Sequence, residues 1–365
     1  MFDFYDEADR RLSALLPKRH FLCDSVNPFR LPPCKGIKTY PVEMPDEEYS
    51  FLHEAAVIRF KGVLYASWYN NPKDELQGFT PIRGCKSFDE GKTWTKIETL
   101  AEDRSGKILY CPPVYAIWED SLYLLMNEMV SADHIHGIDL YKLNEESGKF
   151  EFLWHRPIPF KLNTNAVWLS NGKMLLPGRV TELDQFPRTP AVILADDPES
   201  EYRIVYIQKD GALPDGTLLE HPEISCITDG NRITMFCRND RRQVPLVYES
   251  EDLGETWSGV MESDIPFSSS KIYAGTLSDG RNYVIGNLDK ERKRLALFVS
   301  KKGTLEFDRG YMVQDGISPQ FGFGTMWHYP VCHEENGKLY IIYTVSVDKH
   351  NRRGAVLSVI DIKKL

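Results

Sequence analysis

One short turn is spelled twice in this chain, and the distance between the copies limits what the chain can fold into. The first copy is CKSFDEGKTWTKI, Cys85–Ile97, and the second is YESEDLGETWSGV, Tyr248–Val260. Both read Ser-x-Asp-x-Gly-x-Thr-Trp, and Asp89 and Asp252 stand 163 residues apart. Self-similarity at long range marks a repeat architecture, in which each unit buries its apolar face against the next.

The repeat unit is visible between the copies. Six stretches, beginning at His53, Pro112, Thr164, His221, Lys271 and Met326, each carry two β-branched and aromatic runs around a tight turn. The turns are KG, ED, NG, DG, DG and NG, which are strong hairpin signals. A third and a fourth run follow, PIRGCKS and TWTKIET in the first unit, VPLVYES and TWSGVME in the fourth. Four strands per unit is a propeller blade. The predicted fold is therefore all-β, a six-bladed β-propeller of four-stranded antiparallel blades, with residues 35–365 as one domain. The last unit runs out after GAVLSVIDI, its third strand. KGIKTYPVEM, Lys35–Met44, is expected to supply the fourth and close the ring, leaving no unpaired edge. Residues 1–34 form an N-terminal extension, whose DEADRRLSALL reads as a short helix packed outside. In the repeated octets Asp89 and Asp252 accept hydrogen bonds within the turn, Gly91 and Gly254 supply permissive backbone angles, and Trp94 and Trp257 enter the seam between blades. SKKGTLEF, from Ser300, is a decayed copy without the Asp. These octets define the fold and do not touch substrate.

Composition excludes several functions. A net charge of −9 over 365 residues argues against a general nucleic-acid partner. No apolar run approaches the roughly 20 residues of a membrane helix, and the N-terminal twenty residues lack a signal-peptide apolar region. Seven cysteines without close pairing suggest free thiols in a reducing compartment. A cytoplasmic protein with no membrane or nucleic-acid partner is the expectation.

Ser-x-Asp-x-Gly-x-Thr-Trp is the Asp-box, and over roughly residues 45–365 the chain resembles the sialidase-like (BNR-repeat) propellers. That resemblance implies an active site at the central mouth, with a Tyr nucleophile activated by a Glu, an Asp acid/base and three Arg residues clamping the substrate carboxylate. A neutral phenol suits an anomeric carbon that carries a carboxylate, because an anionic nucleophile would be repelled. A carboxylate must then take the phenol proton.

Carried onto this chain, the pattern implies Glu223 and Arg238 in EHPEISCITDGNRITMFCR, with Glu220 as the competing carboxylate. It implies Arg294 in NLDKERKRLALFVS, with Arg292 as competitor, and Tyr329 in WHYPVCHEENGKLYIIYT as the nucleophile. Tyr343 reads as packing. The first unit departs from the family: FLHEAAVI places His53 where the clamp Arg belongs, while Arg59 is out of phase. An imidazole would be only about a quarter charged at pH 7 and lacks the guanidinium fork. YNNPKDE offers Asp74 or Glu75 as acid/base. Arg179 and Arg188 are within reach of the mouth, and Asn165 starts an inner strand. His53, Arg179, Arg238 and Arg294 together would make a positive well for an anionic sugar. His134 and His136 in SADHIHG share a strand face, but with no third ligand nearby in sequence neither a metal nor a cofactor is assigned. The resemblance implies a glycoside hydrolase that removes a terminal acidic sugar from an oligosaccharide or glycoconjugate. Lyase chemistry at a uronic acid, with His53 or Tyr329 as base, and a non-catalytic glycan- or protein-binding propeller are the alternatives.

Overall fold

The six tight turns and their flanking β-rich runs give six antiparallel sheets in a computed structural model that describes residues 16–365 apart from 132–133, 182–187, 210, 319–321, 324 and 349. Blade I is Phe51–Phe60, Val63–Asn71, Ile82–Ser87 and Glu98–Ala101. Blade II is Leu109–Trp118, Ser121–Met129, Ile135–Asn144 and Lys149–Arg156. In blade III the inner strand is split into Phe160–Leu162 and Val167–Trp168, followed by Met174–Val180, Thr189–Ala195 and Arg203–Tyr206. Blade IV is Ile224–Asp229, Arg232–Cys237, Leu246–Ser250 and Met261–Ser263; blade V is Tyr273–Thr276, Asn282–Asn287, Arg294–Ser300 and Phe307–Asp315. Blade VI is Met326–Glu335, Lys338–Ser346 and Arg353–Asp361, and its outer strand is Lys38–Glu43 from the start of the chain. That strand runs antiparallel to Arg353–Asp361, so the ring closes on a hydrogen-bonded ladder. The fourth strands of blades I and IV begin later than the octet suggests, because Thr93–Trp94 and Thr256–Trp257 belong to the turn.

The core is a ring of seams. Buried apolar clusters lie between blades I and II, II and III, III and IV, IV and V, and where V, VI and I meet. Trp94 packs on the last of these and Trp257 on the seam between III and IV. In each octet the Asp is a hub. Asp89 accepts from Thr93 N at 2.9 Å and Thr93 Oγ1 at 2.8 Å, and Ser87 Oγ receives Gly91 N at 2.8 Å. Asp252 repeats this with Thr256 and Ser250. Gly91 has φ +86°, and a Cβ there would run into Leu357 of blade VI. Glycine is required both for the angle and for the close approach of blades. In the decayed copy the turn is held by main-chain bonds, Lys301 N to the Glu306 carbonyl at 2.9 Å and Thr304 N to the Lys301 carbonyl at 3.3 Å.

The expected helix in DEADRRLSALL falls almost entirely outside the described residues. Among the described residues the single helical element is the 3₁₀ turn Ile362–Lys364, and no helix is long and apolar enough to cross a membrane. From Lys18 the chain walks along the rim. Lys18–Arg19 pair in parallel with Glu262–Ser263 of blade IV, Leu22 bridges Phe307 and Pro33 bridges Met312 of blade V. This segment covers outer edges that would otherwise be exposed. All seven cysteines are free thiols.

Candidate active site

Three inner strands slip register at the same place. The slips fall between His53 and Ala56 in blade I, Tyr110 and Pro113 in blade II, and His328 and Val331 in blade VI. Glu54 and Tyr329 sit on two of them with φ of +47° and +52°. Non-glycine residues in that region carry a cost on the order of 1–3 kcal/mol, and such strain clusters where side chains must be aimed. Here it breaks the in–out alternation. Tyr329 is turned into a central cavity of about 380 Å³, and Glu54 into a buried bond with Lys271 of blade V at 2.7 Å. Lys161 of blade III lies 3.8 Å from the same carboxylate.

The cavity draws on four blades. Blade I supplies His53 and Glu75, blade IV His221 and Arg238, blade V Arg292, and blade VI His328, Tyr329, His350 and Arg353. Arg238 follows the second strand of blade IV, where its N–H donates to the Glu223 carbonyl at 2.9 Å and so holds the two residues side by side. Its Nη1 donates to Glu223 Oε2 at 2.8 Å and to the Tyr329 hydroxyl at 2.9 Å. Its Nη2 meets Asp240 at 2.8 Å and its Nε meets Ser269 at 3.2 Å. Tyr329 and Glu223 are therefore joined through one guanidinium nitrogen. The Tyr329 ring lies 4.3 Å from the His53 ring, with Lys271 and Arg292 at 5.4 and 5.5 Å from its centre.

Charge and burial set the protonation states. Burial alone would raise the Glu223 carboxyl, but Arg238, Lys271 and Arg179 outweigh it and hold the group ionised. Against burial, His221 and Arg238 keep Asp240 well below the usual carboxylate range. Burial, then the charge of Glu223, pushes the Tyr329 phenol well above its ordinary value. Burial, then the charges of Arg353, His328, Arg292 and Lys271, holds the His53 imidazole far below 6.5.

Arg353 stands apart. It is 2% exposed. Its Nε and Nη2 meet the carbonyl and ring of His350, both at 2.8 Å, and it lies 4.6 Å over the Phe51 ring. Nη1 is buried with no acceptor, and no carboxylate of the described residues lies within ion-pair distance. Burial lowers its pKa and the charge of Glu75, beyond ion-pair distance, offsets this only in part, so Nη1 is placed to donate to an anionic group.

The sequence candidates separate as follows. Tyr329, Glu223, Arg238 and His53 come together, and Arg179 lies close enough to bias Glu223. Glu220 is half exposed, 3.8 Å from Arg241, so Glu223 is the buried carboxylate of the pair. Arg294 does not line the cavity: its Nε lies 3.5 Å from Asp289, and Arg292 takes the mouth position. The cause is a turn in which Asp289 accepts from Lys293 N and Arg294 N, while Arg292 adopts φ +55°. Asp74 does not line the cavity either. Its carboxylate accepts from the Glu75 backbone at 2.8 Å, and Glu75, bonded to the Tyr69 hydroxyl, faces the site. His53 is not a partial cation; held neutral, it leaves the charge on its side of the mouth to Arg353. Tyr343 is packing, bonded to Ser358 and Gln314 at 2.6 Å. Asn165 staples Tyr115 to Val57, and Arg59 pairs with Glu335. His136 pairs with Glu128 on blade II rather than with His134.

Glu54, Lys271 and Arg353 were not anticipated. Arg353 had a signal: HNRRGAVL places an arginine before the third strand of blade VI, as KERKRLALF does in blade V. Lys271 stands just before an inner strand. Glu54 has none, because its direction depends on the register slip. A second cavity of about 250 Å³, beside Asp229, Arg232 and Glu249, contains no candidate residue.

The BNR repeat-like domain family model matches residues 62–341. None of the curated proteins matches by sequence. Among solved structures, a protein of unknown function from Dyadobacter fermentans superposes with TM-score 0.72 at 12% identity, covering 90% of this chain and 100% of that one. Trypanosoma rangeli sialidase superposes with TM-score 0.67 at 14% identity, covering 90% of this chain and 60% of that one. A variant of NanB sialidase from Streptococcus pneumoniae gives 0.67 at 11%, covering 89% and 71%. This chain thus spans 60% of the length of the trypanosomal sialidase. At such identities the likeness is one of fold.

Proposed function

This chain belongs to the BNR repeat-like domain family, and on that premise we propose that it is a glycoside hydrolase removing a terminal acidic sugar from a glycan. One observation carries this: Arg238, Arg292 and Arg353, from three blades, converge with the Tyr329 phenol in one cavity, and Arg353 Nη1 has no hydrogen-bond acceptor there. Trypanosoma rangeli sialidase, of like fold, has been solved in complex with sialic acid.

The chemistry follows from the charges. A sugar carboxylate enters against Arg353 Nη1 and Arg292 and competes for Arg238. As Arg238 turns to it, Glu223 loses its strongest partner and becomes more basic. Glu223 takes the phenol proton while Tyr329 Oη bonds to the anomeric carbon. The glycosidic C–O bond breaks, and Glu75 in its acid form protonates the departing oxygen. A water that gives a proton to Glu75 then attacks the anomeric carbon, the aryl glycosidic bond to Tyr329 breaks, and Glu223 returns its proton to the phenolate. With Arg238 on Glu223 this transfer is uphill, since Glu223 is held ionised and Tyr329 protonated. Substrate charge is what triggers the nucleophile.

Trapping with a 2,3-difluorinated acidic sugar, followed by peptide mapping, tests this. The label is expected on Tyr329 and absent in Tyr329→Phe. The neutral, buried His53 beside the same cavity supports one other reading, proton abstraction at a uronic acid. An unlabelled protein that generates an ultraviolet-absorbing unsaturated product establishes that reading and removes the hydrolase. Saturable binding without product leaves a binding module.

A further inference from the structure

Away from the central mouth, blade II assembles four groups that the mechanism does not use. Glu128 ends the second strand, His136 and Asp139 lie on the third, and His155 on the fourth. Alternation along the third strand would send His136 to the face opposite Asp139. A register slip between Glu128 and Met129 makes His136 the extra residue and removes that separation. A second slip, between Phe152 and Trp154, sets His155 opposite Asp139. Bulges re-aim side chains in this way.

The donor atoms then meet. His136 Nδ1 is 2.8 Å from Glu128 Oε2, and His155 Nδ1 is 3.6 Å from the same oxygen. Asp139 Oδ1 lies 2.8 Å from His155 Nδ1. Glu128, His136 and His155 bring one ligand atom each within 4.8 Å of one another. In a tetrahedral zinc site, metal–ligand bonds of about 2.1 Å put neighbouring ligand atoms about 3.4 Å apart, so the observed distances bracket that geometry. The floor of the cluster is Gly137, where a Cβ would lie 2.5 Å from His155 Cε1 and 2.7 Å from Nε2. Only the missing side chain lets the imidazole cross the strand. Asp139 is 2% exposed and shares the pocket with a second carboxylate.

We infer that Glu128, His136 and His155, with Asp139 bonded to His155 as its outer partner, form a binding site for one divalent first-row transition metal ion, zinc foremost, that clamps the three outer strands of blade II. Two imidazoles with one carboxylate suit zinc, cobalt or nickel and not calcium or magnesium, which take all-oxygen sets. The ion contributes to the fold of the blade and takes no part in the chemistry at Tyr329.

The full chain, without an affinity tag and stripped with a chelator, is titrated with zinc chloride at pH 7.5 by calorimetry, and with cobalt chloride by visible absorption. The expected result is stoichiometric zinc uptake, a tetrahedral cobalt spectrum, and a melting temperature that rises with zinc. His155→Ala should abolish all three, and Asp139→Asn should weaken affinity by roughly 10–100-fold. If His155→Ala fails to fold, His136→Gln serves, and the parent's cobalt spectrum alone decides. No stoichiometric uptake by the parent, or uptake equal in parent and His155→Ala, overturns the site. Magnesium or calcium binding in place of zinc overturns the ligand assignment.

Discussion

Replacing Arg353 by methionine separates binding from stability more sharply than any other change at the mouth. Methionine keeps an unbranched apolar stem over Phe51 and removes the charge. Two hydrogen bonds from the charged guanidinium to His350 are lost, worth about 1.5–3 kcal/mol each. One buried donor that had no acceptor is also removed, a relief of about 1–3 kcal/mol. Removing the buried charge itself also relieves a desolvation cost, so loss and relief offset one another to within a few kcal/mol. Binding of an acidic sugar loses a charge-assisted contact worth about 2–5 kcal/mol, a weakening of roughly 30-fold to several thousand-fold. Arg238→Met is the control. It leaves Glu223 and Asp240 buried without the guanidinium that bridges them, and removing one member of a buried pair costs about 3–5 kcal/mol. Urea denaturation of both variants and calorimetric titration with sialic and uronic acids measure these quantities. An Arg353→Met protein destabilised as much as Arg238→Met would show that Arg353 is already compensated. Unchanged affinity for every acidic sugar would remove the clamp.

Three further outcomes are expected. Tyr329→Phe should lose activity by orders of magnitude while changing stability by about 1 kcal/mol, the net worth of the bond from Arg238, as read by turnover and urea melts; full activity would eliminate the phenol as nucleophile. Melting temperature should fall as pH drops through about 6.5, because buried His53 and His328 have lowered pKa values and take up protons only on unfolding. It should fall further below about pH 4, as Glu223 and Asp240, held down in the fold, lose their ionised advantage; Asp139, raised to about 6, opposes this between those values, so a His328→Asn variant with a flatter profile above pH 5 is the check. Deleting residues 1–45 should cost solubility and cooperativity, since it bares the Arg353–Asp361 edge, and a truncated protein that melts like the parent would refute that role for Lys38–Glu43.

The propeller was legible in the sequence because its determinants are local. A two-residue turn between β-branched runs forms its hairpin wherever it stands, and Ser-x-Asp-x-Gly-x-Thr-Trp satisfies its own hydrogen bonds within one turn. Counting hairpins therefore yields six blades, and a missing fourth strand calls for Lys38–Glu43. Glu223 and Arg238 were adjacent by the same logic, being the two ends of one hairpin. What only the tertiary structure decided are the directions of side chains where the ladder slips or turns. Arg292 and Arg294 are two residues apart in one basic run, and a left-handed residue in a turn pinned by Asp289 chooses between them. Glu54 and Tyr329 reach the axis through strained bulges that no periodicity announces. Arg353 fills the charge left open at His53 from 300 residues away in the chain, and His136 finds its partners on two other strands. These choices depend on register and on contacts across the ring, which exist only once the blades have closed.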